Sequence, residues 1–518
     1  MSSKMRSSFV GWTFFSIVFA TQAAGQQTPI PPQSHTAYKL VDLGTFGGPA
    51  SYINPSNDLG SADQVNSFGT AVGGSDLPIP TTALSNGTVC FGPEGVQPFV
   101  NHAFQWKNGV VSDLGALGGP EYCSVATSIN DRGLIAGTSE IAVIDPIVGV
   151  KEIRAVLWKN GRIEDLGTFG GNHSLASDIN NKGQVVGWAA TSKPDPFSFL
   201  YFQLGGVSTG TQTQAFLWQN GHMRNLGTLG GLDSGANLVN DRGQVAGASY
   251  TNDDPNPTTG FPTQHSFLWE CGKMIDLGTL GGTVGGPIAL NNRGQVLGIS
   301  NLAGDQAADF FLWDNGKLTD LTTQSIGGSL LDAEAISDTG QIVGGASFSG
   351  RDFDAAAWRN GALTDLGALD GDCFSIARAI NSHGQIVGTS FSCDSGRPRA
   401  FLWENGSIID LNALVPADSS LDLTDPLTIT QDGEIAGIGI VPGSGCENAR
   451  ACGIAFVLQP TDEIVTVTSG ATAQSGKPRT TGLGLNEIMA QMEARTSRKH
   501  SLPGLAPVRG GVDPTNQH

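Results

Sequence analysis

The stretch AFLWQNGHMRNLGTLGG, residues 215–231, contains a short apolar run, a two-residue turn, a second strand and a pair of glycines. The run FLW is typical of a strand that is covered on both faces. Asn220 and Gly221 are the pair that best tolerates positive φ at both central positions of a type I′ turn, whose twist matches the flanking strands. The stretch therefore predicts a β-hairpin that ends at Gly230 and Gly231.

The same hairpin occurs seven times along the chain. Its tryptophans follow one another at intervals of 44 to 60 residues, a period typical of repeat architectures. They are Trp106, Trp158, Trp218, Trp269, Trp313, Trp358 and Trp403.

A second hairpin fills the rest of each period. It reads INNKGQVVG from Ile179 and LNNRGQVLG from Leu290, and it occurs eight times if the degraded copy VNSFGTAVG from Val65 is included. Asn or Ser at the start of the turn and Gly three places later fit a type I turn closed by a residue with positive φ. Each period therefore holds four strands, which is the content of one β-propeller blade.

The ends of the array predict the number of blades. AYKLVDLGTFGG from Ala37 lacks the first strand of its hairpin, and GIAFVLQP from Gly453 is a first strand with no return strand. Pairing the two halves closes a ring, so we expect an all-β fold, a β-propeller of eight four-stranded blades. Seven blades and a linear β-solenoid are the alternatives, and a solenoid would have atypical caps rather than two complementary halves.

Three segments that recur in fixed order resemble the HAF-repeat family, described as extracellular repeat proteins of bacteria. They are represented by HAFQWKNG from His102, DLGTLGG from Asp276 and NNRGQVLG from Asn291. The resemblance covers roughly residues 38–459, and the glycines are lost in DLTTQS from Asp320 and DLNALV from Asp410. It implies export and a repeat fold, and it implies no defined activity.

The N-terminus predicts export as well. Lys4 and Arg6 precede a mostly apolar run from Phe9 to Ala20 and then small residues, as in a secretory signal. The run is shorter than the roughly 20 residues of a spanning helix. We expect a signal peptide at 1–25, a linker at 26–37, the repeats at 38–459 and a disordered tail at 460–518, in a secreted or periplasmic monomer without a membrane span.

Six of the seven cysteines pair by their position within the repeat. Two follow the glycines that end a first hairpin, and two lie in the connection that precedes the next copy. The predicted disulfides are Cys90–Cys123, Cys373–Cys393 and Cys446–Cys452, which agree with export. Cys271 occupies the turn position that holds Asn in the other six copies, and no neighbouring His suggests a catalytic thiol.

Charge and motif content disfavour several functions. The formal net charge is −19 and the repeats contain no Lys/Arg cluster, so the surface repels phosphate backbones and nucleic acid is not expected as a partner. The single Asp of each DLG segment lacks the closely spaced oxygen ligands of a calcium loop, and we expect it to accept bonds from neighbouring backbone N–H groups. No cofactor and no metal are expected.

The connection from the second hairpin to the next copy varies most in length. It covers 74–101, 138–153, 188–213 and 248–264, but only about ten residues in copies five to seven. Insertions on one face commonly form the binding site of a repeat protein. Five aromatic residues of the third insertion are candidates for ligand binding, unless they cover their own blade: Trp188, Phe197, Phe199, Tyr201 and Phe202.

A second variable position lies just ahead of each AFLW run. Its mixed charges suggest the mouth of a central channel or plain solvation. The candidate residues are His102, Arg154, His265, Asp309, Asp354 and Arg399, with Gln214 in the third copy.

Two functional hypotheses follow. The first is an exported, non-catalytic binding or scaffold protein that recognises a polysaccharide or a protein partner through the long connections. The alternative is a propeller hydrolase or lyase acting on an extracellular polymer, which requires at least two titratable side chains that converge at the channel mouth. No nucleophile or paired carboxylate motif identifies catalytic residues in the sequence.

Overall fold

The computed structural model describes residues 33–53, 63–86, 89–92, 95–96, 98–200, 210–323, 325–349, 351–446, 452–467, 502 and 504–508. All structural statements below concern these residues. The predicted signal peptide lies outside them.

The chain folds into four-stranded antiparallel units, numbered here 1 to 8 and given in sheet order from the first strand to the fourth. Unit 1 contains β2 (Ser51–Tyr52), β3 (Ala71–Pro80), β6 (Phe99–Lys107) and β7 (Val110–Asp113); unit 2 contains β8 (Ser124–Ile129), β9 (Ile135–Ile144), β10 (Lys151–Lys159) and β11 (Arg162–Asp165). Unit 3 contains β12 (Gly170–Ile179), β13 (Val185–Asp195), β14 (Gly210–Gln219) and β15 (His222–Asn225); unit 4 contains β16 (Ser234–Val239), β17 (Val245–Pro255), β18 (Pro262–Glu270) and β19 (Lys273–Gly278). Unit 5 contains β20 (Gly281–Leu290), β21 (Val296–Leu302), β22 (Ala308–Asp314) and β23 (Lys317–Asp320); unit 6 contains β24 (Ser329–Ile336), β25 (Ile342–Phe348), β26 (Arg351–Arg359) and β27 (Ala362–Gly367). Unit 7 contains β28 (Asp372–Ile380), β29 (Ile386–Ser392), β30 (Pro398–Glu404) and β31 (Ser407–Asp410); unit 8 contains β32 (Asp422–Ile429), β33 (Ile435–Ile440), β34 (Ile454–Val467) and β1 (Gln33–Asp42).

Two further pieces complete the described secondary structure. β4 (Phe91–Gly92) and β5 (Gly95–Val96) form a small hairpin in the first insertion, and a 3-10 turn covers Leu411–Ala413. Units 4 and 5 share one eight-stranded sheet through a single parallel pairing, Gln264 with Val284.

The tight turns have the predicted conformation. Asn220 has φ of 52° and Gly221 has φ of 83°, as a type I′ turn requires. Cys271 takes the same left-handed conformation, with φ of 51°, and it is exposed and unbonded. The turn therefore fixes the backbone at this position, whichever residue occupies it.

The complementary ends of the repeats pair as predicted. β1 lies antiparallel to β34, with Leu40 opposite Leu458. The ladder extends to Gln33 opposite Val467, so the expected boundaries at 38 and 459 are wrong by several residues on each side. Residues 33–37 of the predicted linker and 460–467 of the predicted tail form strands because each supplies the other with backbone partners.

One side-chain bond repeats between successive units. The N–H of Ala103 on the third strand of unit 1 donates to Ser124 Oγ on the first strand of unit 2, at 2.9 Å. The same bond joins Ala155 to Ser174, Ala215 to Ser234 and Ala355 to Ser375. It also joins Ala455 of unit 8 to Ser51 of unit 1, at 2.9 Å. The last unit therefore contacts the first as neighbours along the chain contact each other.

The hydrophobic core lies between neighbouring units. Leu157 of unit 2 packs in one cluster with Ile179 and Phe216 of unit 3. Ala455 and Val457 of unit 8 pack in the same way with Phe104 of unit 1. A single sheet has apolar residues on both faces, so each unit depends on two neighbours for burial.

The Asn of the second hairpin joins its own turn to the next unit. Asn180 Oδ1 accepts the N–H groups of Lys182 and Gln184, while Asn180 Nδ2 donates to Asn240 O at 2.9 Å. We call this bond the Asn clasp. It also links Asn66 to Asn130, Asn130 to Asn180, Asn240 to Asn291, Asn291 to Ser337 and Asn381 to Thr430. Ser337 and Thr430 carry no amide, so they cannot continue the series.

All three predicted disulfides are present: Cys90–Cys123, Cys373–Cys393 and Cys446–Cys452. The first joins the insertion of unit 1 to the start of unit 2. Over the described ranges, no helix has the length and apolar character needed to cross a membrane.

Candidate functional site

The two ends of the units differ in their connections. The turns between first and second strands and between third and fourth strands lie at one end, which we call the turn end, because the strands are antiparallel. The insertions between second and third strands lie at the opposite end, which we call the insertion end.

The aromatic residues predicted to bind ligand at the insertion end are mostly buried. Trp188 is 5% exposed and Phe199 is 4% exposed, and their ring centroids lie 5.7 Å apart. Phe199 also meets the ring of Tyr250 edge-on at 4.4 Å. Phe197 is partly buried against Phe261. The burial of Trp188 and Phe199 is at odds with their prediction as ligand-binding residues, while Tyr201 and Phe202 lie outside the described residues.

These rings belong to a cluster built from four units, which we call the insertion cluster. It contains Val89, Cys90, Val100, Cys123, Val125, Ile153, Leu175, Trp188, Ala190, Phe199, Leu200, Ala248 and Tyr250. The rings pack inwards because the neighbouring unit leaves room for them: a Cβ on Gly235 of unit 4 would lie 2.4 Å from the Trp188 ring. The insertions thus extend the core between units, whereas the alternative considered from the sequence was that the rings cover only their own blade.

A buried carboxyl pair anchors the third insertion. Asp233 accepts the N–H groups of Thr213 and Phe199, and Asp195 accepts the N–H of Phe197. Burial, followed by the charge of Asp195 and the hydrogen bond to it, raises the pKa of Asp233 well above its usual value. Burial and a neighbouring like charge both disfavour the ionised form of a carboxyl.

The residues predicted at the channel mouth lie elsewhere. They occupy the third strand of each unit and pair with the acidic residue of the DLG segment on the fourth strand: His102 with Asp113 at 2.9 Å, Arg154 with Asp165 at 3.8 Å, His265 with Asp276 at 2.8 Å and Arg399 with Asp410 at 3.2 Å. Asp309 and Asp354 are buried at the same register. The prediction of a channel-mouth position is wrong. Whether a residue near the end of a strand is exposed depends on the side chains packed around it, and its place in the sequence does not reveal that packing.

In the third unit, both members of the pair are replaced together. There Gln214 replaces the basic residue and Asn225 replaces the Asp, and Asn225 Nδ2 donates to Gln214 Oε1 at 3.1 Å. The DLG Asp also accepts a backbone N–H two residues on, as predicted, for example Gly278 N to Asp276 Oδ1 at 2.8 Å. These residues stabilise the edge of each unit.

The first strands of units 2 to 8 and residues 63–67 of unit 1 line a cavity of about 430 Å³ that includes the second-hairpin turns of the turn end. Its size is within the usual range for ligand sites. Eight carboxylates and one basic side chain line it. They are Asp63, Asp131, Asp178, Asp241, Asp332, Glu334, Asp338 and Asp425, with Arg378 as the cation. We call this space the acidic cavity.

A row of hydrogen bonds runs along the mouth of the acidic cavity from unit 1 to unit 6. The residue after the turn Asn, or after Ser337 in unit 6, accepts the backbone N–H of the equivalent residue in the preceding unit: Asp131 accepts from Ser67, Asn181 from Asp131, Asp241 from Asn181, Asn292 from Asp241 and Asp338 from Asn292. The bonds are 2.8 to 3.0 Å long. Asp and Asn alternate at this position, and both supply the accepting oxygen.

Two carboxyls of the acidic cavity titrate near neutral pH. Burial raises the pKa of Asp178 to about 6, although hydrogen bonds from Val239 N, Ser128 Oγ and Ile179 N act to lower the pKa. The side chain of Asp63 is exposed to the cavity, but the protein around it desolvates the carboxyl. This desolvation, followed by the negative charges of Asp178 and Asp241, raises the pKa of Asp63 to about 7.

Arg378 joins three units across the opposite wall. Its Nη1 lies 2.7 Å from Glu334 Oε1 of unit 6, and its Nε lies 3.7 Å from Asp425 Oδ1 of unit 8. Thr389 Oγ1 donates to the same Asp425 oxygen at 2.8 Å. This ion pair lies between units 6 and 7, where Ser337 cannot form the Asn clasp.

Chemically, the acidic cavity offers carboxylate and amide groups beside aliphatic side chains, and its polar groups are suited to hydrogen-bond donors and cations. Among the described residues, one group of three side chains has metal-ligand spacing: Cys90, Cys123 and Glu140. Its two sulfurs form a disulfide, so it does not bind metal. The sequence feature that marks the cavity is the recurrent Asp or Asn in the turn of the second hairpin. From the sequence alone, this residue is explained by the turn and does not indicate a cavity.

Comparisons with known proteins were made by sequence and by structure. No protein-family model matches the chain, and no curated protein matches its sequence. Porphyromonas gingivalis dipeptidyl peptidase 4 aligns with TM-score 0.37 and 10% identity, over 66% of this chain and 54% of that one. Acinetobacter baumannii TolB aligns with TM-score 0.28 and 11% identity, over 76% of this chain and 80% of that one. Trypanosoma rangeli sialidase aligns with TM-score 0.28 and 9% identity, over 81% of this chain and 59% of that one. Similarities at this level carry no argument about the activity of this chain.

Proposed function

We propose that this chain is an exported β-propeller of eight blades that binds an amine-bearing saccharide in its acidic cavity without turning it over. Each four-stranded unit is one blade. The repeated bond from Ala455 to Ser51 supports a ring rather than a linear solenoid, because it makes the junction of units 8 and 1 equivalent to the others. The three disulfides fit an oxidising compartment.

The observation that carries the binding proposal is the charge of the acidic cavity. Eight carboxylates face one guanidinium, Arg378, so a bound ammonium group gains charge-assisted hydrogen bonds. Amide groups at the mouth match sugar hydroxyls, which both donate and accept. The insertion end gives less support for saccharide binding, because Trp188 and Phe199 are buried.

Calorimetric titration of the full chain with a glucosamine tetrasaccharide tests this function. We expect saturable binding, and at least tenfold weaker binding of the N-acetylated tetrasaccharide, which has the same shape without the positive charges. Spermidine serves as a cation without a sugar: equal binding of spermidine would assign the site to amines in general. Failure of the glucosamine tetrasaccharide to bind would overturn the proposal.

A matched pair of variants locates the site. The first combines Asp131→Asn, Asp241→Asn and Asp338→Asn, which the fold accepts because the chain itself has Asn181 and Asn292 at this position. The control combines Asp253→Asn, Asp254→Asn and Asp418→Asn, which removes the same charge from exposed sites outside the cavity. We expect at least a tenfold loss of affinity in the first variant alone; equal loss in both would contradict binding in the acidic cavity.

The alternative, a hydrolase acting on an extracellular polymer, has one observation in its favour. Asp63 and Asp178 face the same cavity with pKa values raised towards neutral, as an acid and base pair needs. Release of new reducing ends from the bound oligosaccharide, abolished by Asp63→Asn, would support this alternative over simple binding.

A further inference from the structure

A short C-terminal segment lies across unit 5, far along the chain from its sheets. It consists of Leu502 and residues 504–508, and we call it the strap. Ala308 N, at the start of β22, donates to Pro507 O at 2.7 Å, and Ala308 forms a parallel bridge with Val508. The part of the predicted tail that the structure describes is therefore bound to the sheets, contrary to the expectation of disorder for this part.

One buried amide binds the strap backbone twice. Asn301 Nδ2 donates to Gly504 O at 2.9 Å, and Asn301 Oδ1 accepts the N–H of Ala506 at 2.8 Å. Asn301 is fully buried. An amide placed in this way recognises an extended backbone whatever its side chains, because each peptide unit offers the same donor and acceptor.

Apolar side chains fix the position of the strap. Leu502, Leu505 and Val508 pack against the cluster of unit 5 and its neighbour. A Cβ on Gly286 of the first strand would lie 2.5 Å from Leu502 Cδ1, and its other near atoms also belong to Leu502. The absence of a side chain at Gly286 thus forms a notch for Leu502.

The preceding unit has the same notch with a different occupant. Gly235 of unit 4 has the same register as Gly286 and receives the ring of Trp188 from unit 3. Unit 4 has Ala248 where unit 3 has Trp188, so no large side chain of unit 4 reaches unit 5 from that position. The strap supplies the missing apolar group.

The strap also needs one glycine. Gly504 has φ of +81°, and a Cβ there would lie 2.8 Å from Thr259 Cβ in the insertion of unit 4. A side chain at this position would be strained as well as crowded. The surface of unit 5 therefore selects a leucine, then glycine two places on, leucine three places on and valine six places on.

We propose that this surface is a peptide-binding groove, that the strap is its built-in occupant, and that a free extended peptide of the same pattern can take its place. Recognition combines backbone hydrogen bonds with alternate side-chain pockets, as in peptides that add to a sheet. Among the described residues, three hydrogen bonds to the strap backbone hold it, far fewer than hold the strands of any unit. The 34 residues from 468 to 501 join it to β34, so the strap is tethered to the groove and competes intramolecularly.

The first test removes the notch. Gly286→Val in the full chain places methyl groups where Leu502 lies, while Gly285→Ala is the matched control, because a Cβ there meets other atoms only at 3.5 Å or more. We expect hydrogen exchange at residues 504–508 to be at least tenfold faster in Gly286→Val and unchanged in Gly285→Ala. Unchanged exchange in Gly286→Val would overturn the assignment of the notch.

The second test measures exchange of the occupant. The full chain with Leu505→Asp and Val508→Asp has a weakened strap, and the probe is a labelled peptide of residues 500–509, HSLPGLAPVR. We expect saturable binding by fluorescence anisotropy, at least tenfold tighter than to the natural chain, whose strap competes. Adding Asn301→Ala should lower the affinity at least tenfold.

A peptide control separates failure of recognition from failure of folding. The probe with Leu502→Asp leaves the protein unchanged and should bind at least tenfold more weakly than the natural probe. Absence of binding to the strap-weakened chain, with its circular dichroism and thermal unfolding matching the natural chain, would refute the groove. So would equal binding of the two peptides.

Discussion

The turn end and the insertion end of this protein use the same strands in opposite ways. At the turn end, six of the eight units repeat one set of contacts, as when Asn180 binds its own turn and Asn240 O. At the insertion end, each unit is covered differently, by Trp188 at Gly235 in one case and by Leu502 at Gly286 in the next.

The difference shows what repetition does in such a chain. Contacts that every unit makes with the next must be written in every copy, so they appear as motifs. Contacts that cover a particular unit need to occur once, so they appear as irregular insertions. The turn end presents a row of carboxylate and amide groups, and the insertion end supplies additional core.

The largest effect is expected at the insertion end. Trp188→Ala leaves a cavity in the insertion cluster, and such losses cost about 3–5 kcal/mol of unfolding free energy. Phe68→Ala at the turn end is the control, because Phe68 is 74% exposed and its loss should cost less than about 0.5 kcal/mol. Urea unfolding followed by fluorescence and circular dichroism measures both, and similar costs would contradict the view that the insertions are core.

Loss of the Asn clasp should lower the free energy of unfolding by less than Trp188→Ala does. Two substitutions separate the contribution of the turn bonds from that of the bond between units. Asn180→Ala removes the turn bonds and the bond to Asn240 O, a loss of about 2–3 kcal/mol. Asn180→Ser imitates Ser337, whose hydroxyl accepts the N–H of Gln341, and should cost about 1 kcal/mol. Both variants lack the bond between units, so its contribution is the cost of Asn180→Ser relative to the natural chain; if the two variants unfold at the same urea concentration, the turn bonds contribute little.

The raised pKa of Asp63 predicts that stability falls as pH rises, whereas a carboxylate in a salt bridge has a lowered pKa and stabilises a protein more as pH rises. The pKa of Asp63 is about 7 in the folded protein and near 3.8 in the unfolded chain, so the unfolded chain loses its proton first and stability falls as pH rises from about 4 to 7. We expect Asp63→Asn to unfold at a higher temperature than the natural chain at pH 8 and at the same temperature at pH 4. Calorimetry at both pH values measures this, and a variant less stable at pH 8 would contradict it.

The smallest effect is expected at the outer edge of the units. Burial alone would raise the pKa of Asp276, but bonds from His265 and Gly278 N lower it below its usual value. The double change His265→Gln with Asp276→Asn converts the pair to the neutral pair of Gln214 and Asn225, and it should cost less than about 0.5 kcal/mol at pH 7. A loss above 2 kcal/mol in thermal or urea unfolding would show that this pair is not a simple edge contact.

Local patterns were sufficient where neighbours in the sequence make the contact. The Asn-Gly turns, the bond from Asp276 to Gly278 and the disulfide pairs follow from residues close together or equivalent in the repeat. Local patterns were not sufficient for Phe199, because its burial depends on the rings of Trp188 and Tyr250, which are distant in the sequence or in another unit. They also failed for His265, whose partner is on the next strand of its own unit and not at a channel mouth.

The sequence by itself determined the all-β class, the four-stranded period, the positions of the turns and the pairing of the two chain ends, because turn chemistry and complementary half-repeats are local properties. Only the tertiary structure decided which side chains face the acidic cavity and which are covered. The acidic cavity, the insertion cluster and the strap each join residues from different units. Such contacts depend on how one sheet faces another, and the order of residues within a single repeat does not specify that.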